Sequence, residues 1–334
     1  MEYRSLGRTG VTVSSFALGT MMFGRWGNPD AAECTAMVHR ALDAGINLVD
    51  TADIYDDGRS EEILGAALVG RRDDVVLATK FANPMGDGRN TRGGSRRWAI
   101  RACEDSLRRL RTDWIDLYQV HRFDETTDLD ETLGALDDLV TQGKVRYVGT
   151  STFPAWALVE AQRSGRARPV TEQPPYSALA RGIEADVLPV CQRYGVGALV
   201  WAPLNGGWLT GKYRRGAEPS SRAEREPDHF DFGTAFRPAK AAAVEALASI
   251  AAAAGLRLTD LAHAFVLAHP AVASAIIGPR TLAQLDDVLP GAGTRLDGEV
   301  LDAIDKVVPP GTNLNPADAG WEPPWLAPEQ RRRR

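Results

Sequence analysis

Short apolar runs alternate along the chain with longer segments that have the pattern of helices. We interpret the runs as strands at 16–20, 47–52, 75–80, 115–121, 145–151, 170–176, 197–204 and 274–279. Helices are predicted near 31–44, 60–70, 95–110, 130–142, 154–164, 184–194, 238–254, 259–268 and 281–289. Continuous apolar strands joined by helices indicate a parallel sheet that is buried on both faces. Eight such units favour an α/β fold, a closed (β/α)8 TIM barrel, over an open sheet.

Three segments lie outside the eight units. Residues 1–15 are predicted to form an N-terminal β-hairpin, because two strand-like pieces flank the turn sequence GRTG. Residues 205–237 form a long charged loop after strand 7, and such loops are usually functional or mobile. The C-terminal tail, 308–334, is rich in proline and tryptophan, which leaves core capping and substrate contact equally open. No change in composition marks a boundary, so we expect one domain over 1–334.

Composition excludes some classes of protein. The net charge of −5 argues against a general nucleic-acid binder. The three cysteines are far apart, odd in number and without a CxxC pair, which predicts reduced thiols and no metal site. The N-terminus has no apolar signal region and no run has the length of a membrane span. We therefore expect a cytoplasmic protein that binds neither nucleic acid nor membrane.

Ionisable residues stand at the ends of three successive predicted strands: Asp50, Lys80 and His121. In a barrel of parallel strands these ends share one rim, and that rim carries the active site. Tyr55 follows strand 2 and would lie over the same rim. Each residue alone has an ordinary explanation as a cap, a solvated lysine, a core histidine or a packing tyrosine. Their coincidence on one rim indicates a functional site.

The chemistry that suits these four residues is proton delivery. A phenol with a pKa near about 10 is a weak acid at neutral pH, and a neighbouring ammonium lowers that pKa. We expect Lys80 to supply this charge and Asp50 to hold the lysine in place. His121 would bond the substrate oxygen and stabilise negative charge developing there. The loop acids near Tyr55 are expected to be solvated: Asp53, Asp56 and Asp57.

The segments around these residues resemble the aldo-keto reductase superfamily, in the right order and over nearly the whole chain. They include LGTMMFG, GINLVDTADIYDDGRSEEILGAAL, VVLATK, SLRRLRTDWIDLYQVHR, GKVRYVGTS, WAPLNGGWLTGKY and IIGPRTLAQLDD. The resemblance implies the same barrel and a catalytic tetrad of Asp50, Tyr55, Lys80 and His121. It also implies NADPH-dependent reduction of aldehydes and ketones, with the reverse oxidation possible.

The resemblance also implies a cofactor site. Ser151 and Gln173 match residues that hold the nicotinamide carboxamide, whereas Thr152 stands where asparagine is common. Trp201 matches the aromatic residue that stacks on the nicotinamide, and Arg280, facing the 2′-phosphate, favours NADPH over NADH. The other candidates lie at the strand ends, the pyrophosphate loop and the adenosine segment: Gly19, Thr20, Met21, Asp50, Ala202, Pro203, Leu204, Asn205, Gly207, Leu209, Gly211, Lys212, Gly278, Gln284 and Asp287.

The partner is expected to be a small carbonyl compound, but its identity stays open among sugars, quinones, dicarbonyls and lipid aldehydes. Candidate substrate contacts are Met22, Phe23, Trp26, Tyr55, Phe81, His121, Arg122, Trp321 and Trp325. One alternative is an NADPH-binding regulatory or redox-sensing subunit, similar to the β-subunits of potassium channels. Another is an aldolase with Lys80 as a Schiff base, which pairing with Asp50 disfavours. The oligomeric state also stays open.

Overall fold

The computed structural model describes residues 1–214 and 234–324, so parts of the predicted loop and tail, including Trp325, lie outside the described residues. A hairpin precedes eight parallel strands that close into a barrel in chain order. The hairpin strands are β1 (Tyr3–Ser5) and β2 (Thr12–Ser14). The barrel strands are β3 (Phe16–Gly19), β4 (Leu48–Asp50), β5 (Val76–Phe81), β6 (Ile115–Val120), β7 (Val145–Ser151), β8 (Thr171–Gln173), β9 (Gly197–Val200) and β10 (Val272–Ile277). The predicted TIM barrel and hairpin are confirmed.

Helices follow the strands on the outside of the barrel, near the predicted positions. They are α1 (Ala31–Asp43), α2 (Arg59–Ala67), α3 (Arg96–Leu110), α4 (Leu129–Thr141), α5 (Ala155–Arg163), α6 (Val187–Tyr194), α7 (Arg237–Ala253), α8 (Leu258–Ala268), α9 (Leu282–Val288) and α10 (Gly298–Val307). Polar side chains cap several helix starts, as Asp30 does by accepting hydrogen bonds from the amides of Ala32 and Glu33.

Helix α10 was not predicted, although its start carries a clear local signal. The side chain of Asp297 accepts a hydrogen bond from the amide of Val300, as an N-terminal cap does. Ile304 is its buried residue, and Val300, Leu301 and Val307 are partly buried against the core. Apolar residues at this spacing are typical of an amphipathic helix, so the sequence carried a second signal for it.

Apolar side chains fill the barrel from the end opposite the strand C-termini. Leu6 and Val13 of the hairpin pack in one cluster with Ala17, Leu48 and Leu117 of the barrel interior. A second, larger cluster lies between the strands and the helices. The hairpin therefore closes the N-terminal end of the barrel, and polar residues are left to the C-terminal rim.

Membrane-spanning character was tested for the described part of the chain. No single helix there is long and apolar enough to cross a membrane. Helices α7 and α8 meet the length and composition only as a pair, and they are bent by 92° relative to each other.

The three cysteines are free and buried: Cys34, Cys103 and Cys191. Burial raises the pKa of Cys34 to about 11 and that of Cys103 to about 12, so these two thiols stay protonated at neutral pH. Within the described ranges, no group of three or more His, Cys, Asp or Glu residues could hold a metal ion.

Two helical glycines provide a test of the packing around the barrel. A Cβ at Gly65 of α2 would lie 2.6 Å from the carbonyl oxygen of Arg109 and 2.7 Å from the backbone of Leu110. We expect Gly65→Ala to destabilise the protein by about 1–3 kcal/mol, because backbone atoms of α3 must move. Urea unfolding followed by circular dichroism measures the change.

Gly134 of α4 is the matched control, because a Cβ there would meet no atom within 4 Å. Gly134→Ala should stabilise the protein by up to about 1 kcal/mol, since alanine loses less backbone entropy in a helix. Equal effects of the same sign at both positions would contradict the close packing of α2 on α3.

Candidate active site

A buried lysine on β5 connects the residues of the rim. The Lys80 ammonium donates to Asp50 Oδ2 at 2.6 Å, to the carbonyl of Thr51 at 2.8 Å and to the Tyr55 hydroxyl at 3.1 Å. Its side chain has no exposed surface. An ammonium has three protons, and each of them has an acceptor here. The Tyr55 oxygen therefore accepts from Lys80, which leaves its own proton directed elsewhere.

Two glutamines hold the carboxylate of Asp50 in this arrangement. Its Oδ1 accepts from Gln173 Nε2 at 2.8 Å and from Gln119 Nε2 at 3.2 Å. Gln119 was missed from the sequence, although it lies two residues before His121 and so on the same face of the strand. The amide of Gln173, predicted to hold a cofactor carboxamide, is bound to Asp50 in this structure. The carboxylate thus has partners on both oxygens.

His121 lies one residue beyond β6 and faces Tyr55. The two ring centroids are 5.8 Å apart and the rings meet edge to face at 85°. The side-chain amide of Asn83 lies 3.0 Å from Nδ1 of His121. The amide nitrogen donates to Nδ1, so the proton of a neutral imidazole is on Nε2. Asn83, in the loop after β5, had no signal in the sequence that pointed to this role.

Burial changes the acid strengths of these groups. It raises the pKa of the Tyr55 phenol, and the opposing effect of Lys80 does not cancel it. We expected Lys80 to bring the pKa of Tyr55 below its ordinary value, and this expectation is wrong. Desolvation raises the pKa by more than the charge of Lys80 lowers it. Burial, with Lys80 and Arg122 nearby, holds the pKa of His121 well below its ordinary range. At neutral pH the rim therefore presents a protonated phenol and an uncharged imidazole.

Lys80 stays charged. Burial lowers the pKa of its ammonium, but Asp50 and Tyr55 more than offset this, and the pKa lies above its ordinary value. A Schiff base requires a neutral amine, so the geometry disfavours the aldolase alternative.

Two of the loop acids expected to be solvated are instead buried. Asp56 accepts from the backbone amide of Arg25 at 2.9 Å and from its Nε at 2.6 Å, which pins the loop after β3. Asp53 is almost fully buried, and burial together with Glu61 raises its pKa well above the ordinary range. Only Asp57 is solvated as expected.

The start of α2 also differs from the expectation. The helix begins at Arg59, one residue before the predicted Ser60. The Ser60 hydroxyl is buried and donates to the carbonyl of Thr20 at 2.8 Å, and it makes no capping bond. Glu61 lies in the first turn of the helix and is buried, where it accepts from Arg109 Nε at 2.6 Å and from the Thr79 hydroxyl at 2.5 Å. These bonds tie α2 to β3, β5 and α3 beneath the rim.

The predicted nicotinamide residues lie at the ends of β7, β8 and β9. The Ser151 hydroxyl donates to the carbonyl of Gln173 at 2.9 Å. Thr152 has φ 56°, in the left-handed region that a β-branched residue rarely adopts. Trp201 is partly exposed, and a Cβ on Gly320 of the tail would lie 2.6 Å from its ring. The tail therefore lies directly on the predicted stacking residue.

The predicted pyrophosphate loop has an unusual backbone. Asn205, Gly206 and Gly207 are consecutive residues with positive φ. The Asn205 side chain bonds Lys240 of α7 at 2.9 Å and Asp318 of the tail at 3.2 Å. The Asn205 side chain thus joins the loop to α7 and the tail. Backbone amides of the loop bond within it, as Gly207 does to the carbonyl of Leu204 at 3.0 Å.

The predicted adenosine segment follows β10. The backbone amide of Arg280 donates to Gln284 Oε1 at 2.8 Å, and a Cβ on Gly278 would meet nothing within 4 Å. Asp287 forms an ion pair with Arg257 at 2.7 Å. Arg280 and Gly278 thus lie near open space, whereas the Asp287 carboxylate is engaged within the protein.

The predicted substrate contacts divide into two groups. Trp26 is 45% exposed, and its ring lies 6.4 Å from that of Tyr55. Phe81 and Phe23 have no exposed surface, so they are corrected to core residues. Phe81 follows Lys80 in β5 and so points to the opposite face, where it stacks on Tyr118 at 4.8 Å. Phe23 belongs to the same cluster between strands and helices.

The rim is completed by aromatic residues of three segments. Phe123, two residues after His121, meets Trp156 of α5 at 5.1 Å and Trp321 of the tail at 6.4 Å. Arg122 lies between His121 and Phe123 in the chain. Met21 and Met22, two other predicted contacts, follow β3.

Comparison with known proteins agrees with this geometry. The profile of the aldo/keto reductase family matches residues 15–309. The chain is 38% identical to the uncharacterized oxidoreductase YrpG of Bacillus subtilis (strain 168), over 96% of this chain and 100% of that protein. The chain belongs to the aldo/keto reductase family and is an oxidoreductase of that family.

Two further relatives show the breadth of the similarity. The aldo-keto reductase YhdN of Bacillus subtilis (strain 168) is 40% identical over 64% of this chain and 65% of that protein. A probable voltage-gated potassium channel subunit beta of Oryza sativa subsp. japonica is 36% identical over 92% of this chain and 97% of that protein.

The backbone of Thr152 yields a stability prediction. Thr152→Asn should raise the free energy of unfolding by about 1 kcal/mol, because asparagine tolerates the left-handed region that strains threonine. Thr152→Val keeps the branched side chain and should give no gain. Urea unfolding without cofactor compares the three proteins. A gain in the valine variant would show that the hydroxyl, and not the backbone, is the source of strain.

The contact between Asn83 and His121 yields a prediction about protonation. At pH 6 the His121 ring should be uncharged with its proton on Nε2, as ¹H–¹⁵N multiple-bond NMR can show. Asn83→Asp should raise the pKa of His121 and move the proton to Nδ1, because a carboxylate favours the imidazolium. Asn90→Asp, on the exposed part of the same loop, should leave the ring unchanged. A charged ring at pH 6 in the unaltered protein would contradict this assignment.

Proposed function

We infer that the protein reduces an aldehyde or ketone to an alcohol with NADPH, and that Tyr55 is the general acid. The observation that carries this is the bond from the Lys80 ammonium to the Tyr55 oxygen at 3.1 Å. Because the phenol oxygen accepts from Lys80, its proton is available to a substrate oxygen. A hydroxyl whose oxygen accepts from Lys80 directs its own proton away from Lys80.

The rim offers two donors to one carbonyl oxygen. The Tyr55 hydroxyl follows β4 and Nε2–H of His121 follows β6, on either side of Lys80 in β5. Two such hydrogen bonds would stabilise the negative charge that develops on the oxygen. When Tyr55 gives up its proton, the phenolate is left beside the Lys80 ammonium, whose attraction favours the charged form. Asp50 keeps Lys80 at this distance throughout. Proton transfer by a positioned group of this kind contributes about 10²–10⁴-fold to a rate.

The nicotinamide cofactor fits the residues beside this pair of donors. A bound NADPH would supply the hydride. Ser151, Thr152 and Gln173 carry hydroxyl and amide groups suited to a carboxamide, and Trp201 offers a partly exposed ring for stacking. The left-handed run at Asn205, Gly206 and Gly207 allows close backbone approach by a phosphate. At the far end, the guanidinium of Arg280 suits the 2′-phosphate that distinguishes NADPH from NADH.

A regulatory function is the second candidate, because several relatives are named as probable or putative potassium channel β-subunits. Such a function predicts tight retention of cofactor, very slow turnover and a stable oligomer. The complete set of bonds around Lys80 favours an active reductase, since a purely regulatory subunit has no need of a positioned acid.

Replacing Tyr55 tests the proposal. Tyr55→Phe should lower kcat/KM for 4-nitrobenzaldehyde by about 10²–10⁴-fold, because it removes the proton donor. The affinity for NADPH, measured by quenching of tryptophan emission, should change little. Tyr194→Phe, which removes a phenol at the end of helix α6, should keep wild-type turnover. A Tyr55→Phe variant with more than about a tenth of the wild-type rate would overturn the assignment of the acid.

A further inference from the structure

One partly buried cation at the rim lacks the ion pair that the buried lysines have. Arg122 follows His121 directly, and its Nη1 is buried with no hydrogen-bond partner. In the described part of the chain the Arg122 guanidinium forms no ion pair. By contrast, Lys80 pairs with Asp50, and Lys240 pairs with Asp318 at 2.8 Å. A cation taken out of water without a partner is costly, so binding of an anion at Arg122 would remove this cost.

The groups that face Arg122 do not supply that anion. Burial lowers the pKa of Arg122, while the charges of Tyr55 and Glu172 raise it. The Glu172 carboxyl is already occupied, because it accepts from the Thr150 hydroxyl at 2.5 Å and from the Phe153 amide at 3.1 Å. Burial also raises the pKa of Glu172 to about 7, so at neutral pH it is only partly ionised.

The position of Arg122 defines which anion it can reach. Its guanidinium acts on both Tyr55 and His121, the two groups proposed to hold the carbonyl oxygen. Because Arg122 also follows His121 directly in the chain, an anion bound to Arg122 would lie on the same side of the rim as the carbonyl oxygen. A guanidinium also binds carboxylate or phosphate oxygens in pairs, which fixes the orientation of the ligand.

We propose that Arg122 binds an anionic group of the substrate, so that the preferred substrates are carbonyl compounds with a carboxylate or phosphate close to the reacting carbon. This inference rests on the proposed reductase function and extends it to a substrate class. A negative group beside the carbonyl opposes formation of an alkoxide. Arg122 offsets that repulsion, whereas all three protons of Lys80 already have acceptors within the protein.

Matched pairs of substrates test this inference. Benzoylformate and its methyl ester differ in one carboxylate charge, and glyceraldehyde 3-phosphate and glyceraldehyde differ in one phosphate. For each pair we define a ratio, kcat/KM for the anion divided by kcat/KM for the neutral compound. Arg122→Gln should lower this ratio by about 10- to 100-fold. Arg122→Lys should lie between, because it keeps the charge but not the paired donors. The wild-type ratio should also fall as salt screens the attraction.

Arg92→Gln is the matched control, because Arg92 is an exposed arginine in the loop after β5, on the same rim. It should keep the wild-type ratio. A fall in the benzoylformate pair alone identifies a carboxylate, and a fall in the phosphate pair alone identifies a phosphate. If Arg122→Gln lowers both members of each pair equally, Arg122 acts through Tyr55 or through the fold, and the inference is overturned. Thermal unfolding by circular dichroism confirms that each variant is folded.

A binding measurement separates this inference from the proposed function. If wild-type protein turns over none of the carbonyl compounds, the reductase proposal fails. Titration calorimetry with benzoylformate and glyceraldehyde 3-phosphate then still tests Arg122. Binding of either anion at least about 10-fold tighter than its neutral partner, and lost in Arg122→Gln, supports the anion site. Equal binding of anionic and neutral compounds overturns it.

Discussion

The rim of this barrel depends on one ammonium group that has no contact with water. Burying a charge costs several kcal/mol unless it is paired and hydrogen-bonded. Lys80 meets that requirement only if Asp50, the Thr51 carbonyl and Tyr55 all lie within bonding distance. The need to pair the Lys80 ammonium therefore constrains the conformation of the loop after β4 as well as the positions of the side chains of Asp50 and Tyr55. The loop meets this constraint with a tight turn, in which the amide of Tyr55 donates to the carbonyl of Ala52 at 3.2 Å.

Further polar side chains hold the residues around the Lys80 ammonium in place. Gln119 and Gln173 hold Asp50 from the two sides of the barrel, and Asn83 holds His121. These bonds link the ends of four strands, β4, β5, β6 and β8, to one another. The hairpin closes the opposite end with apolar side chains. Apolar side chains thus fill one end of the barrel, and polar groups are held in fixed positions at the other end.

The tail contributes to the same rim. Asp318 joins Lys240 and Asn205, and Gly320 lies against Trp201. The sequence left open whether the tail caps the core or contacts a substrate. Its described part packs Leu314 against the core and places Trp321 near Phe123, and contact with a substrate stays a prediction. The loop after β9 and the tail are therefore parts of one structure over the barrel mouth.

Sequence alone determined the order of strands and helices, because apolar runs of strand length and helical spacing are local patterns. It also placed Asp50, Lys80 and His121 on one rim, since parallel strands end on the same side. The alternation of faces along β5 was enough to exclude Phe81 from the rim, although that signal was not used. Only the tertiary structure decided that Asp53 and Asp56 are buried, that Asn83 and Gln119 support the site, and that burial outweighs Lys80 at Tyr55. Each of these depends on distances between segments far apart in the chain and on the loss of water around them, which no local pattern contains.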